Sequence, residues 1–431
     1  MNETQARNFI QEISKYGSVY GLTSISSLME RLGNVHEQLA VIHVAGTNGK
    51  GSVCAMIASV LQASGYRTGV YSSPAVFAAE ETTAVNGTSI SQEEFAQLAT
   101  KVQAACADMQ AEGLPHPTAF EVETAIAFCY FKQKECDYVV LETGLGGEMD
   151  ATNLIKKPVC SVLTSISMDH MAVLGNSLGE IARAKAGIMK EGCPCVSVVQ
   201  EPEAAMEVRK AAERIGCRLH IAQEDCIQDF IYDVNGSSFR LEADCFSHKS
   251  LHCPLAGEFQ KQNLACAVTV FKVLRRLGVS ISFESICSGL SSLQLHGRFE
   301  RIRLQPDFYI DGAHNENAVR LLGRTIQKCF TNRRIIYIIG VLGDKAYKKA
   351  LKPVLQYAAQ IFTITPDNAR ALDGSDLAEW AAKLHPAVSY EPDIARAAAQ
   401  AQAAAGADGI VIAFGSLSYL GEIRQAVRKD L

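Results

Sequence analysis

Short apolar runs, closed by glycine or polar turns, alternate with longer stretches of helical period along most of this chain. Runs at 41–45, 68–72, 138–142, 159–164 and 195–199 predict strands, and 92–109, 121–132 and 178–189 predict helices between them. That alternation predicts an α/β fold, a doubly wound, mostly parallel sheet with helices on both faces. Ligands of such sheets sit at the carboxyl ends of strands. Between 221 and 255 the pattern shortens to polar and apolar alternation, which predicts a hairpin or small antiparallel sheet. A helix at 260–277 and a linker-like stretch at 290–297 (LSSLQLHG) follow. A second α/β series then begins, with strands near 308–311, 335–339, 361–364 and 410–414 and an alanine-rich helix at 395–405. The expected domains are therefore 1–296 and 297–431.

Composition narrows the classes. Apolar residues make up 48% and charged residues 20% of 431 positions, as in ordinary globular proteins, and the length suits two domains. A net charge of −5 gives no electrostatic reason to expect nucleic acid. No apolar run approaches the length of a membrane span, and the first residues lack a signal-peptide core, so the expectation is a cytoplasmic protein with no membrane partner. The 14 cysteines invite a disulfide or zinc reading. Cys54, Cys129 and Cys266 instead fall in apolar helical patterns, and Cys193 and Cys195 form C-P-C without a second pair at metal spacing, so reduced thiols are expected.

The chemistry gathers at strand ends. Residues 41–52 (VIHVAGTNGKGS) read as a buried strand, a glycine-rich turn, and the start of a helix at Lys50. Gly46, Gly49 and Gly51 let the backbone turn tightly and approach a ligand. The helix N-terminus favours an anion, and Lys50 adds a mobile positive charge, which together make a triphosphate cradle. The general phosphate-loop pattern is not met, because Gly51 separates Lys50 from Ser52 and Val44 holds the place of the first glycine. Glu142 ends a strand beside Gly144, Gly146 and Gly147, where a carboxylate can hold magnesium against phosphate; a solvated strand end is the plain alternative. Asp169 and His170 follow the next strand and point towards the same crevice, and Ser73 precedes a turn proline. Lys185, in ARAKAGIMK, reads on its own as a surface lysine. In the second domain Asp311, Gly312, Ala313, His314 and Asn315 link a strand to a helix N-terminus, suited either to a ligand or to a plain asparagine cap. Arg298, just past the linker, suits phosphate or an interdomain ion pair.

GTNGKGS, GLGGEMDATN, DHMAVLG, KAGIMK, GRFE, DGAHN and GSLSYL occur in this order across both domains. Together they resemble the Mur ligase superfamily and, within it, the folylpolyglutamate synthase/dihydrofolate synthase family. The resemblance implies a P-loop domain followed by a Rossmann-like α/β domain. It also implies an ATP-dependent ligase: ATP phosphorylates a carboxylate of a folate or of dihydropteroate, and the amine of L-glutamate attacks the acyl phosphate. ATP and Mg2+ are the implied cofactors, with a monovalent cation as a further candidate, and a monomer is expected. Gly49, Lys50, Gly51 and Ser52 match the residues on the ATP phosphates, Asn263 the asparagine on adenine, and Arg298 and Asp311 further ATP contacts. Ser73, Glu142 and His170 match the magnesium ligands, and Lys185 matches a lysine that becomes carbamylated. Lys50, Glu142, His170 and Lys185 are thus the expected catalytic set. Thr118, Ala119, Phe120 and Glu121, with Met149, Asp150 and Ala151, match the pterin pocket, where Phe120 stacks on the ring. His314 and Ser416 are candidates for the glutamate side.

Departures from the family pattern are Ala75-Val76 after Ser73-Pro74 where His-Leu is usual, Glu148 and Ser24 where arginine is usual, and Phe259 in place of histidine before Gln260. A peptidoglycan-type ligase is the nearest alternative; only 45 residues precede Gly46, too few for its extra nucleotide-sugar domain. A non-catalytic ATP-binding regulator is the alternative of another class, and it has no use for an acceptor-amine site.

Overall fold

In a computed structural model, described over residues 1–17, 19–242, 250–343 and 346–429, the chain forms three sheets. The first is built from β1 (Val41–Ala45), β2 (Thr68–Tyr71), β3 (Thr83–Val85), β4 (Thr88–Ser89), β5 (Tyr138–Glu142), β6 (Cys160–Leu163), β7 (Cys195–Val198) and β8 (Leu219–Ala222). Their order is β4-β3-β2-β5-β1-β6-β7-β8, parallel from β2 to β8, with β3 and β4 as an antiparallel edge. β9 (Ile227–Asp233), β10 (Gly236–Leu241) and β11 (Ser250–Cys253) make the small antiparallel sheet. The third sheet holds β12 (Glu300–Arg303), β13 (Asp307–Asp311), β14 (Ile335–Ile339), β15 (Gln360–Thr363), β16 (Val388–Tyr390) and β17 (Ile410–Phe414) in the order β12-β13-β17-β14-β15-β16. Only β12 runs antiparallel there.

The central strands are apolar on both faces because helices cover both. Ile42 and Val44 of β1 face helices Lys50–Ala63 and Gln260–Arg276, while Val41 faces the cluster that includes Ala119–Gln133. In the third sheet Ile336 and Ile338 point to one cluster, and Tyr337 and Ile339 to the other. This two-residue period is what a pleated strand imposes.

The expected strands at 41–45, 138–142, 335–339 and 410–414 coincide with β1, β5, β14 and β17. Other expectations shift. Leu219–Ala222 is the parallel edge of the first sheet, so the antiparallel element starts at Ile227; residues 243–249 of that stretch lie outside the described residues. The linker-like 290–297 begins inside helix Phe283–Ser291, and Leu290 and Leu293 are buried anchors. Sequence reading passed over helices Glu3–Ile13 and Thr23–Arg31, although Asn2 and Gln5 form a complete capping box on the first. The 13 described cysteines are free, and Cys54, Cys129 and Cys266 are core residues. No helix among the described residues is long and apolar enough to cross a membrane.

Candidate active site

The glycine turn is held by the segment that follows β6. The N–H groups of Thr47 and Asn48 donate to the Ser165 carbonyl at 2.7 and 3.1 Å, and Thr47 Oγ1 donates to the Ser167 carbonyl. Gly46 lies so close to Thr164 that a side chain would overlap its hydroxyl. Gly49 caps helix Lys50–Ala63 with φ of 86°, and a Cβ there would overlap Asn263 Oδ1. Gly49→Ala therefore combines left-handed strain with a collision. The expected outcome is a loss of ADP affinity of about tenfold or more, read by titration with a fluorescent ADP analogue.

Lys50 points from the helix start towards Glu142 at the end of β5, Nζ to Oε1 3.8 Å. Glu142 is 5% exposed and has no hydrogen-bond donor among the described residues. Burial raises its carboxyl above the usual range, opposed by the charges of Lys50 and Arg298. Gly51 stands beside them, its missing Cβ position 3.8 Å from Glu142 Oε2.

Lys185 is no surface lysine. It is 4% exposed, and its ammonium donates to the Gly46 carbonyl at 2.7 Å. Burial first, and the Lys50 charge second, lower it to about 7, against the opposing pull of Asp169 and Asp150. Its helix, Leu178–Ala186, is clamped by the loop after β5: a Cβ on Gly147 would come 2.7 Å from the Lys185 carbonyl, and Glu148 N–H donates to Ala184.

The third sheet reaches the turn directly. Asn48 and Asn315 exchange side-chain amide hydrogen bonds at 2.9 and 3.3 Å, and Asn315 also donates to Asp169 at 3.1 Å. His314 Nε2 stands 3.5 Å from Asp169. Asp311 accepts from the N–H groups of Phe299 and Ala313, both at 2.8 Å, and so fixes the loop that carries Arg298. A Cβ on Gly312 would come 2.5 Å from Arg298 Nη1, so that glycine makes room for the guanidinium.

These groups enclose a cavity of about 180 Å3 whose wall includes Lys50, Ser52, Glu142, Lys185 and Arg298. A larger cavity of about 610 Å3 adjoins it, and Ser73, Gly144, His170 and His314 belong to both walls. Thr118, Phe120, Glu121, Met149, Asp150, Ala151 and Ser416 line the larger one.

Ala119 and Asn263 are on neither wall. Asn263 is buried behind Gly49 and donates to Gln260 at 2.8 Å, so its contact is with the turn. Glu121 and Asp150 line the wall and also accept backbone hydrogen bonds. Glu121 caps its own helix and accepts from Ile25 N–H at 3.1 Å, and Asp150 accepts from Leu145 and Thr152 N–H. Both shape the pocket. Sequence reading missed Glu123 and Arg370, which also line the larger cavity; a second acid two residues after Glu121 in the otherwise apolar stretch AFEVETAIAF was the available signal for Glu123.

Residues 44–271 match the Mur ligase middle domain, and residues 297–417 match the Mur ligase, glutamate ligase domain. The dihydrofolate synthase/folylpolyglutamate synthase of Bacillus subtilis is 36% identical over 98% of both chains. The folylpolyglutamate synthase of Lacticaseibacillus casei is 32% identical over 86% of this chain and 87% of its own. In three dimensions the fold is similar to Mycobacterium tuberculosis folylpolyglutamate synthase complexed with ADP, with a TM-score of 0.90 at 26% identity over 98% of both chains. Domain order, fold and full-length similarity agree, and the chain belongs to the folylpolyglutamate synthase/dihydrofolate synthase family of Mur ligases.

Proposed function

We propose that this protein is an ATP-dependent ligase that joins L-glutamate to a folate, with dihydropteroate as a second acceptor substrate. One observation carries the reading: the phosphate-sized cavity over the glycine turn opens into a larger, partly aromatic cavity, and both domains line the junction. A nucleotide on the turn would place its terminal phosphate at that junction, beside a carboxylate entering from the larger side. The names of the relatives in B. subtilis and L. casei support the same acceptors.

The chemistry is balanced by charge. A carboxylate oxygen of the acceptor bonds to the γ-phosphorus, the bond to the bridging oxygen breaks, and ADP leaves. The glutamate amine then bonds to the acyl carbon, phosphate departs, and the amine gives up a proton. Positioning and neutralisation dominate such catalysis. Lys50 and Arg298 supply positive charge from the two domains, while the Asn48–Asn315 pair ties the turn to the domain that presents His314 and Ser416.

Magnesium suits the donors present. Among the described residues no three histidine, cysteine or acidic side chains converge to hold a metal alone. Glu142, buried and short of donors, would bind the ion with Ser73 and His170, and phosphate oxygens and water would supply the remaining ligands. When bound, the ion neutralises phosphate charge. We place the protein in the cytoplasm as a monomer.

ADP release in the presence of ATP and magnesium tests the reading, with a reduced folate and dihydropteroate supplied separately. Release that requires both glutamate and one of these acceptors is expected. Release indifferent to both overturns the proposal.

A further inference from the structure

Three carboxylates line the larger cavity on the side of the first domain: Glu121, Glu123 and Asp150. Two are already engaged, since backbone N–H groups bond to the oxygens of Glu121 and Asp150. Glu123 differs. It lies on helix Ala119–Gln133, three residues after Phe120 and therefore on the same face, and among the described residues no donor reaches its carboxylate. Burial alone pushes its carboxyl up to about 7. Glu123 is half-buried, and a carboxylate that no protein donor serves, on a cavity wall, is open to a ligand that brings the donors.

We infer that Glu123 is the specificity residue for the pterin ring, its two carboxylate oxygens accepting from the adjacent ring N–H and exocyclic amine of the 2-amino-4-oxo edge. This rests on the folate-ligase reading above. The chemistry matches in each part. A pterin is flat and apolar on its faces, which suits Phe120, packed over Gly144 with its ring 6.2 Å from Tyr71. Its 2-amino-4-oxo edge offers two parallel N–H bonds, the arrangement a carboxylate takes up most strongly. The opposite wall, from the second domain, carries Arg370, His314 and Ser416. The cavity is therefore acidic where a pterin has donors and basic where the ligand has carboxylates, which fixes its direction.

The test compares Glu123→Ala and Glu123→Gln with the wild type, using tetrahydrofolate and its 2-desamino analogue. The wild type is expected to prefer the 2-amino compound. Glu123→Ala should raise KM for the folate about tenfold or more, leave KM for ATP unchanged, and erase most of that preference. Glu123→Gln, which keeps one acceptor, should fall between. Both variants should melt at or above the wild-type temperature, since a desolvated carboxylate without protein donors is gone. An active Glu123→Ala enzyme with unchanged folate KM and unchanged discrimination overturns the inference alone. A wild type without folate-dependent ADP release overturns the ligase reading and the inference with it.

Discussion

Lys185→Ala is expected to lower kcat by a factor on the order of a thousand while leaving the circular dichroism spectrum intact. The side chain is placed for chemistry by its burial. Its amine sits under the glycine turn, bonded to the Gly46 carbonyl, on the wall of the cavity that holds Lys50 and Glu142. With its pKa near 7, roughly half of Lys185 is neutral at pH 7, against about one in 3,000 for a lysine at its ordinary value. A neutral amine is the form that adds carbon dioxide: the nitrogen bonds to carbon, a proton leaves, and a carbamate anion replaces a cation. That anion would sit beside Lys50 and near the proposed magnesium ligands, so alanine removes both the group and its charge. Wild-type protein in 13C-bicarbonate should show a carbamate resonance that the variant lacks. Near-normal turnover in Lys185→Ala would rule out the role.

The same residue carries a pH signature in carbon dioxide-free buffer. Its folded pKa lies below the unfolded one, so between about pH 10.5 and 7 the folded state binds fewer protons than the unfolded. Stability contributed here falls as pH drops through that window and levels off below pH 7. The full penalty is on the order of 5 kcal/mol. Lys185→Met should therefore stabilise the protein more at pH 6 than at pH 9.5, read from urea midpoints. An equal difference at both pH values would show that the lysine is not buried as a cation.

Why the burial of Lys185 was legible only through the family motif, while the glycine turn could be read directly, is a matter of range. In residues 41–52 the strand, the turn glycines and the helix start are all local, and β1 and helix Lys50–Ala63 lie where their pattern puts them. Burial of Lys185 comes from elsewhere: the loop after β5 presses on its helix, and its bond partner is 139 residues away. Nothing in ARAKAGIMK carries that. Leu219–Ala222 misled for a related reason. It is the outermost strand of the parallel sheet and only partly covered, so its pattern looks like that of the half-solvated sheet that follows. Most of the residues matched to a pterin pocket line the larger cavity, yet their roles were not separable in the sequence. Glu121 and Asp150 read as ligand contacts, and the sequence does not show that they also take backbone hydrogen bonds while Glu123 takes none among the described residues.

Glu142→Gln should reverse its effect on nucleotide binding according to whether magnesium is present. Glu142 faces Lys50 at 3.8 Å in a buried setting, and unit charges about 4 Å apart attract by about 4 kcal/mol at an effective dielectric near 20. Without metal, the carboxylate competes with phosphate for Lys50 and repels it as well. The amide does neither, so the variant should bind ADP more tightly than the wild type in chelator. With magnesium the order inverts, because the wild-type carboxylate anchors the ion that joins it to the phosphates, whereas a neutral amide is a weaker ligand for a hard cation. A loss of about tenfold or more in Mn2+ affinity for the ADP-bound protein, followed by electron paramagnetic resonance, and a fall in kcat/KM on the order of a hundredfold or more are expected. The shape of the site should survive, since glutamine keeps the volume at the end of β5 and the pairing of Glu142 with Val44 is made by backbone. Equal dependence of ADP affinity on magnesium in wild type and variant would remove Glu142 from the metal site. Tighter binding in chelator alone would leave it only as the partner of Lys50. The crossover thus separates two roles that a simple loss of activity would merge.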